Sequence, residues 1–315
     1  MSARTTSLTK PDSPTPEALL KRLDWDIVRR LEGQLQGDYR TVFLGEGLDV
    51  SDLRAYQPDD DVRRIDWNVT ARMNTPFVRQ YEQDRDVTAW FLVDRSLSMQ
   101  FGNLGRSKQT VASELTVALS RVLSNRGNRV GAMLWDDSLD AMLQPRTGKP
   151  QVLRLAKTLL SEPSGLSEPS GSQTTSAEPT TLTDLLSAAN GIARRASLVF
   201  VISDFVSAPG WDVQLRRLGV QHEVIAIRIT DPQEHALPDA GLVVVQDAET
   251  GEQMTVDTSN HKFRQRFEQA AQSREVAITE EAVRAGVDLF KISTHDDLAR
   301  KLLEMVAHRK ARRGR

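Results

Sequence analysis

The sequence predicts an α/β fold, a mostly parallel sheet with helices on both faces, and three observations carry that expectation. Residues 87–93 and 198–203 are almost unbroken apolar runs, the pattern of strands buried on both faces of a parallel sheet. Each run ends in a carboxylate, Asp94 in one and Asp204 in the other. Around them, stretches of helical periodicity alternate with further short apolar runs, as in strand–helix–strand units.

The segment 86–99, DVTAWFLVDRSLSM, organises the rest of the chain. A buried helix is the competing reading of its apolar half, but the run is too short for one. Beyond it, Asp94, Ser96 and Ser98 stand at alternate positions, where open α/β sheets collect ligands at the carboxyl ends of their strands. One carboxylate and two hydroxyls in a tight turn suit a hard cation. Magnesium takes six oxygen ligands at about 2.1 Å, and a site with so little charge leaves the ion able to accept another acid from a partner. The competing reading is that Asp94 and the serines cap the next helix, which their types also favour.

Composition narrows the function classes. The 315 residues carry 41 Lys+Arg against 43 Asp+Glu, a net charge of −2, so the chain has no global signature of a polyanion binder. It has no cysteine, which excludes disulfides, thiolate metal sites and cysteine nucleophiles. Residues 1–16 are polar and proline-rich, lack the apolar core of a signal peptide and are expected to be disordered. No stretch approaches the roughly 20 apolar residues of a membrane-spanning helix, so a soluble, cytoplasmic protein is expected.

Taken in order, 17–36 has leucine and isoleucine at helical spacing and predicts an amphipathic helix, docked on the main domain or, less commonly, on a partner. Segment 41–85 is dense in Gly, Asp and Arg. Its Asp59, Asp60 and Asp61 could be neutralised by Arg54, Arg63, Arg64 and Arg72, either as a solvated turn or as a recognition surface. Trp67 is expected to anchor this segment to the main sheet, and 75–82 to form a strand at the sheet edge. A helix is predicted over 107–126, with Val111, Leu115, Leu119 and Leu123 on one face, followed by a hairpin of 128–135 and 139–143 and a helix over 149–160. Segment 161–180, with SEPSG written twice, reads as a flexible insertion, either draped beside the site or a tolerated expansion of a surface loop.

After it come a helix over 182–195, the strand ending at Asp204, a helix over 211–218, a strand over 223–229 and a turn at Asp231-Pro232. A second hairpin (242–245 with 253–256), a helix over 260–285, a strand over 288–292 and a helix over 296–308 complete the domain of residues 86–308. The basic tail 309–315 is expected to be a solvated helix end. No P-loop, no G-x-S-x-G elbow and no H-E-x-x-H is present, and the five histidines are scattered.

Two resemblances sharpen this. DRSLSM after an apolar strand resembles the metal-ion-dependent adhesion site of von Willebrand factor A domains, in which Asp-x-Ser-x-Ser is joined by a later Thr and a later Asp. The resemblance implies a doubly wound sheet and a ligand set of Asp94, Ser96, Ser98, Thr183 and Asp204, with Thr180 and Thr181 as rivals to Thr183. Upstream, Gly45 and Gly47, Leu53-Arg54-Ala55-Tyr56, Asp59–Asp61, Arg64-Ile65-Asp66-Trp67 and Ala71-Arg72 resemble the signature of domain-of-unknown-function family 58.

That family resemblance implies a non-enzymatic adaptor. It would hold Mg2+ (Mn2+ as the variant) and bind a MoxR-type AAA+ ATPase or a client protein that offers an Asp or Glu to the metal. Neither nucleic-acid binding nor membrane insertion is expected. The alternative is a metal-dependent phosphoester hydrolase using Asp94, Ser96 and Asp204, although no general base is evident and only Arg95 is at hand to grip a phosphate.

Overall fold

A computed structural model of the chain describes residues 15–34, 52–57, 62, 65, 67–73, 75–80, 87–103, 106–136, 138–161, 182–192, 195–246 and 253–313. Residues 1–14, the Asp59–Asp61 cluster, the insertion beyond Ser161, Thr180, Thr181 and the last two residues of the tail lie outside the described residues.

The N-terminal helix forms, but in three pieces. α1 (Pro16–Leu23) is capped by Thr15, whose hydroxyl accepts from the Ala18 N–H at 3.3 Å. A wider π turn over Asp24–Val28 leads into α2 (Arg29–Gln34) and interrupts the single α-helix expected. Leu19, Leu20, Leu23, Ile27, Val28 and Leu31 are buried in the main core. The helix therefore docks on its own chain.

The next segment departs from expectation. β1 (Asp52–Ala55) and β2 (Phe77–Gln80) pair antiparallel with each other, as a separate two-stranded sheet and not as an edge of the main one. Between them lies α3 (Trp67–Met73), tied to β2 by the Phe77 N–H donating to Thr70 Oγ1 at 3.1 Å. Trp67 is 70% exposed, so it does not anchor the segment, and Val62 and Met73 are exposed with it.

The main sheet begins with β3 (Thr88–Asp94), whose apolar run is buried on both faces as expected. A two-residue ribbon, β4 (Gly102–Asn103) with β5 (Arg106–Ser107), precedes α4 (Lys108–Asn125). Then follow β6 (Arg129–Trp135), β7 (Leu139–Arg146), α5 (Lys149–Leu160), α6 (Leu182–Ile192), β8 (Leu198–Ser203), α7 (Trp211–Gln221) and β9 (Glu223–Thr230). A separate hairpin of β10 (Leu242–Gln246) and β11 (Gln253–Asp257), α8 (His261–Ala285), β12 (Leu289–Ser293) and α9 (Leu298–Arg313) end the fold. The sheet order is β12-β9-β8-β3-β6-β7, with every pair parallel except β6 and β7.

Because alternate residues of a strand face opposite ways, Ala89, Phe91 and Val93 join the core under α1, α4, α5 and α9. Trp90 and Leu92 join the core under α6, α7 and α8. Phe91 stacks on Phe200 of the neighbouring strand at 4.8 Å. α4 is buried almost all round and not only on the predicted stripe, because α1 and the π turn cover the side away from the sheet. Glu114 on that side pairs with Arg22 and, at 2.9 Å, with Arg106.

The tail is corrected. α9 runs to Arg313, and Arg309 is buried and pairs with Glu223, so the basic end is in part built into the fold and is not merely solvated.

Candidate metal centre

The sheet order places the site. Successive strands lead away from β3 in one direction through β6 and β7, and in the other through β8, β9 and β12. The direction of winding reverses between β3 and β8, and a crevice opens at the carboxyl ends of the strands on either side of such a reversal. Asp94 is the last residue of β3, and Asp204 directly follows β8. Val93 pairs with Ile202, so the two acids emerge side by side at the reversal.

The Asp94 carboxylate is held by its own turn and by β8. Its Oδ1 accepts from the Ser96 N–H at 2.9 Å, and its Oδ2 accepts from the Ser203 hydroxyl at 2.6 Å. The Ser96 and Ser98 hydroxyls lie 3.0 Å apart. The capping reading of this turn is not what the geometry supports. Ser96 precedes the 3₁₀ turn Leu97–Gln100 without making a side-chain cap bond, and α4 is capped by Ser107, whose hydroxyl accepts from the Thr110 N–H at 3.1 Å. The two hydroxyls are thus not spent on a helix end.

Asp204 is more tightly engaged. Its Oδ1 accepts from the Val206 N–H at 3.0 Å, its Oδ2 from Lys108 Nζ at 2.7 Å, and its carbonyl from Arg228 Nε at 2.9 Å. Phe205 takes a φ of 58°, a left-handed conformation costly for a bulky residue. Its buried ring meets Trp211 edge-on at 5.1 Å, and its N–H donates to Ser203 Oγ at 3.0 Å. Ser203 Oγ thus joins the Asp94 carboxylate to the backbone just beyond Asp204.

Electrostatics follow from that crowding. Burial, and then the negative charge of Asp204, push the Asp94 carboxyl up to about 6, against the bonds from Ser203 and Ser96. Burial alone would depress the Lys108 ammonium. The Asp204 and Glu234 carboxylates outweigh it and hold Lys108 above the usual lysine value.

Thr183 is the second residue of α6 and half-buried. The Leu182 N–H donates to Ser207 Oγ at 3.1 Å, so the start of α6 lies against the loop that follows Asp204. Among the described residues, no hydrogen bond joins Thr183 to Asp94, Ser96, Ser98 or Asp204. The structure therefore brings four of the five predicted ligands into one connected turn-and-strand arrangement, with Thr183 at its margin.

The donor set can hold a divalent cation of the hard class. It offers oxygens only, two of them hydroxyls unspent on capping, beside a desolvated carboxylate whose charge is opposed by a second one. It is poor in acids: among the described residues no three His, Cys, Asp or Glu side chains cluster as a metal site.

Three participants escaped sequence reasoning. Glu234 was hidden because only the sheet order brings it to the site, and Ser203, although next to Asp204, because its bond to Asp94 crosses from β8 to β3. Lys108 had a faint signal, a cation at the first position of a helix, where the helix dipole disfavours positive charge. Arg95, between the acid and the first serine, proves to be an anchor. It is buried, its N–H donates to the Trp135 carbonyl at 2.6 Å, and its guanidinium reaches Asp140 at 2.6 Å and the carbonyls of Thr158 and Ser161.

The family model described as "Protein of unknown function DUF58" matches residues 52–277. The uncharacterized proteins Mb1516 of Mycobacterium bovis and Rv1480 of Mycobacterium tuberculosis are each 33% identical to this chain over 304 residues, covering 95% of it and 91% of their own length. Among solved structures, the chain is similar to the conserved hypothetical protein BatB from Bacteroides thetaiotaomicron, with a TM-score of 0.45 and 16% identity. It is also similar to an aerotolerance-related membrane protein from Bacteroides fragilis, with a TM-score of 0.47 and 14% identity. Each likeness covers 72% of this chain and 99% of the other. With a family match over more than half its length and relatives at 33% identity along nearly all of it, the chain belongs to the DUF58 family.

Proposed function

We propose that this protein is a non-enzymatic, metal-dependent binding module of the von Willebrand factor A type, acting in the cytoplasm. Mg2+, with Mn2+ as an alternative, is held by Asp94, Ser96, Ser98, Thr183 and Asp204. The ion supplies an open Lewis-acidic position for an oxygen anion. The partner is a protein offering an Asp or Glu side chain, a MoxR-type AAA+ ATPase or a client delivered to it. Neither nucleic acid nor membrane insertion is part of this reading, and no helix among the described residues is long and apolar enough to cross a membrane.

The observation that carries it is the pair of hydroxyls, Ser96 and Ser98, hydrogen-bonded to each other at 3.0 Å beside Asp94 at the winding reversal and not spent on capping the turn that follows. Leu97 and Phe101, 43% and 41% exposed, flank them and give a partner an apolar rim to cover. The cations close by argue against phosphoester hydrolysis. Lys108 is committed to Asp204 and Glu234, and Arg95 to Asp140 and two carbonyls, so neither is left to grip a phosphate.

Affinity capture with the full chain tests the proposal. Wild type should retain its partner in Mg2+ and release it to a chelator, while Asp94→Ala, shown folded by circular dichroism, should capture nothing in either condition. Capture that ignores both the chelator and the substitution would overturn the reading. Turnover of a generic phosphoester in Mg2+, abolished by Asp94→Asn, would establish the hydrolase instead.

A further inference from the structure

We propose that Lys108 is a tethered competitor for the divalent ion: its ammonium bridges Asp204 and Glu234, holds the site together when no ion is bound, and weakens divalent binding by occupying Asp204. This rests on the cation-binding reading of the site given above.

The placement of Lys108 is costly in two ways. It is the first residue of the 18-residue α4, where a positive charge opposes the helix dipole, and its side chain is 1% exposed. A buried ammonium is tolerated only when it is paired and hydrogen-bonded. Lys108 Nζ donates to Asp204 Oδ2 at 2.7 Å and to Glu234 Oε1, and lies 6.0 Å from the centre of the Phe101 ring.

Glu234 is no casual surface partner. It sits in a short 3₁₀ turn after β9, and its other carboxylate oxygen accepts from the Asp231 N–H at 3.1 Å. Asp231, fully buried, accepts in turn from the Gln233 N–H at 2.9 Å and from the Thr294 hydroxyl at 2.6 Å. The ammonium thus fastens the start of α4 to the loops after β8 and β9, and the latter is tied in turn to the loop after β12 through Asp231 and Thr294.

Charge balance points the same way. Among the described residues, Lys108 is the one cation in direct contact with the Asp204 and Glu234 carboxylates, and Asp94 adds a third acid beside them. Without Lys108 those carboxylates lose their shared cation, and a divalent ion is freed both from the repulsion of a neighbouring cation and from a competitor for Asp204.

The test is calorimetric titration of the full chain with MnCl2 and MgCl2, wild type against Lys108→Met, together with thermal melts in EDTA and in each metal. Lys108→Met should melt lower in EDTA, bind Mn2+ about tenfold or more tightly than wild type, and gain more from the metal on melting. Binding no tighter than wild type overturns the proposal.

If wild type binds no ion and Lys108→Met does, the competitor role stands and the metal-dependent reading of the native chain fails. If neither binds, both fail. Should Lys108→Met not fold in EDTA, recovery of the folded state in MnCl2 supports the proposal. The double variant Lys108→Met/Asp204→Asn should fold without metal and lose the extra affinity. A double variant that stays unfolded, or keeps the tighter binding, shows that Lys108 acts through packing alone and overturns the proposal.

Discussion

Asp94→Asn is expected to make the metal-free protein more stable, by about 1–3 kcal/mol at pH 7.5, while removing its response to Mg2+. The carboxyl stands at about 6 in the folded protein against an ordinary 3.8, because burial and the Asp204 charge both oppose its ionised form. A group raised in this way binds its proton more tightly folded than unfolded. Its ionised form therefore counts against folding in full above pH 6, and that penalty fades as pH falls from 6 towards 3.8. A displacement of that size corresponds to about 3 kcal/mol. Asparagine removes the charge but satisfies Ser203 and Ser96 less well, which sets the lower end of the range. Urea unfolding at several pH values in EDTA checks this. The gap between variant and wild type should be widest at pH 7.5 and close towards pH 4, and Mg2+ should close it from the other side by stabilising wild type alone. A gap that is absent at pH 7.5, or widens on acidification, contradicts the electrostatics argued for the site. Residues that bind are here residues that destabilise, the common cost of a functional site.

The second large effect is structural. Arg95→Ala is expected to cost about 3–5 kcal/mol, the typical loss when one member of a buried ion pair is removed. The Arg95 side chain is 1% exposed and that of Asp140 6%. The same guanidinium also serves the Thr158 and Ser161 carbonyls at the end of α5, where helix carbonyls lack partners of their own. Arg95 is thus a bolt from the site turn to β7 and α5, at the point where the 161–180 insertion begins. Replacing the pair by apolar residues, Arg95→Met with Asp140→Leu, should recover most of the loss, because the desolvation of both charges is then avoided. A single substitution costing under about 1 kcal/mol would show that Arg95 is not an anchor. Chemical denaturation of the three variants separates the outcomes.

How much of this was legible in the sequence depended on whether the cause was local. β3 and β8 could be read because burial on both faces leaves an unbroken apolar run, and that run needs no knowledge of its neighbours. Asp94, Ser96 and Ser98 could be read because one short turn carries all three. The 52–80 segment was misjudged for the converse reason. The alternation in 75–82 shows that a strand forms but not what it pairs with, and β2 pairs with β1 alone. Trp67 was given a buried role by residue type, yet Thr70 is the residue that ties α3 to β2. The all-round burial of α4 could not be read from α4 itself, since the cover comes from a helix whose Arg22 lies 92 residues before its partner Glu114. Lys108 gave only the faint signal of a cation at a helix start, since its partners lie 96 and 126 residues away and meet it only through the sheet order.

The central claim, that the turn after β3 and the loop after β8 form one divalent-cation site through the Ser96 and Ser98 hydroxyls, is tested most directly by calorimetric titration with MnCl2. Wild type is compared with Ser96→Ala/Ser98→Ala, a pair of substitutions that leaves every charge and the Asp94–Ser203 bond in place. The account predicts one Mn2+ per chain in wild type and none in the double variant at the same concentrations. Wild type that binds no ion, or a double variant that binds as tightly, would contradict it.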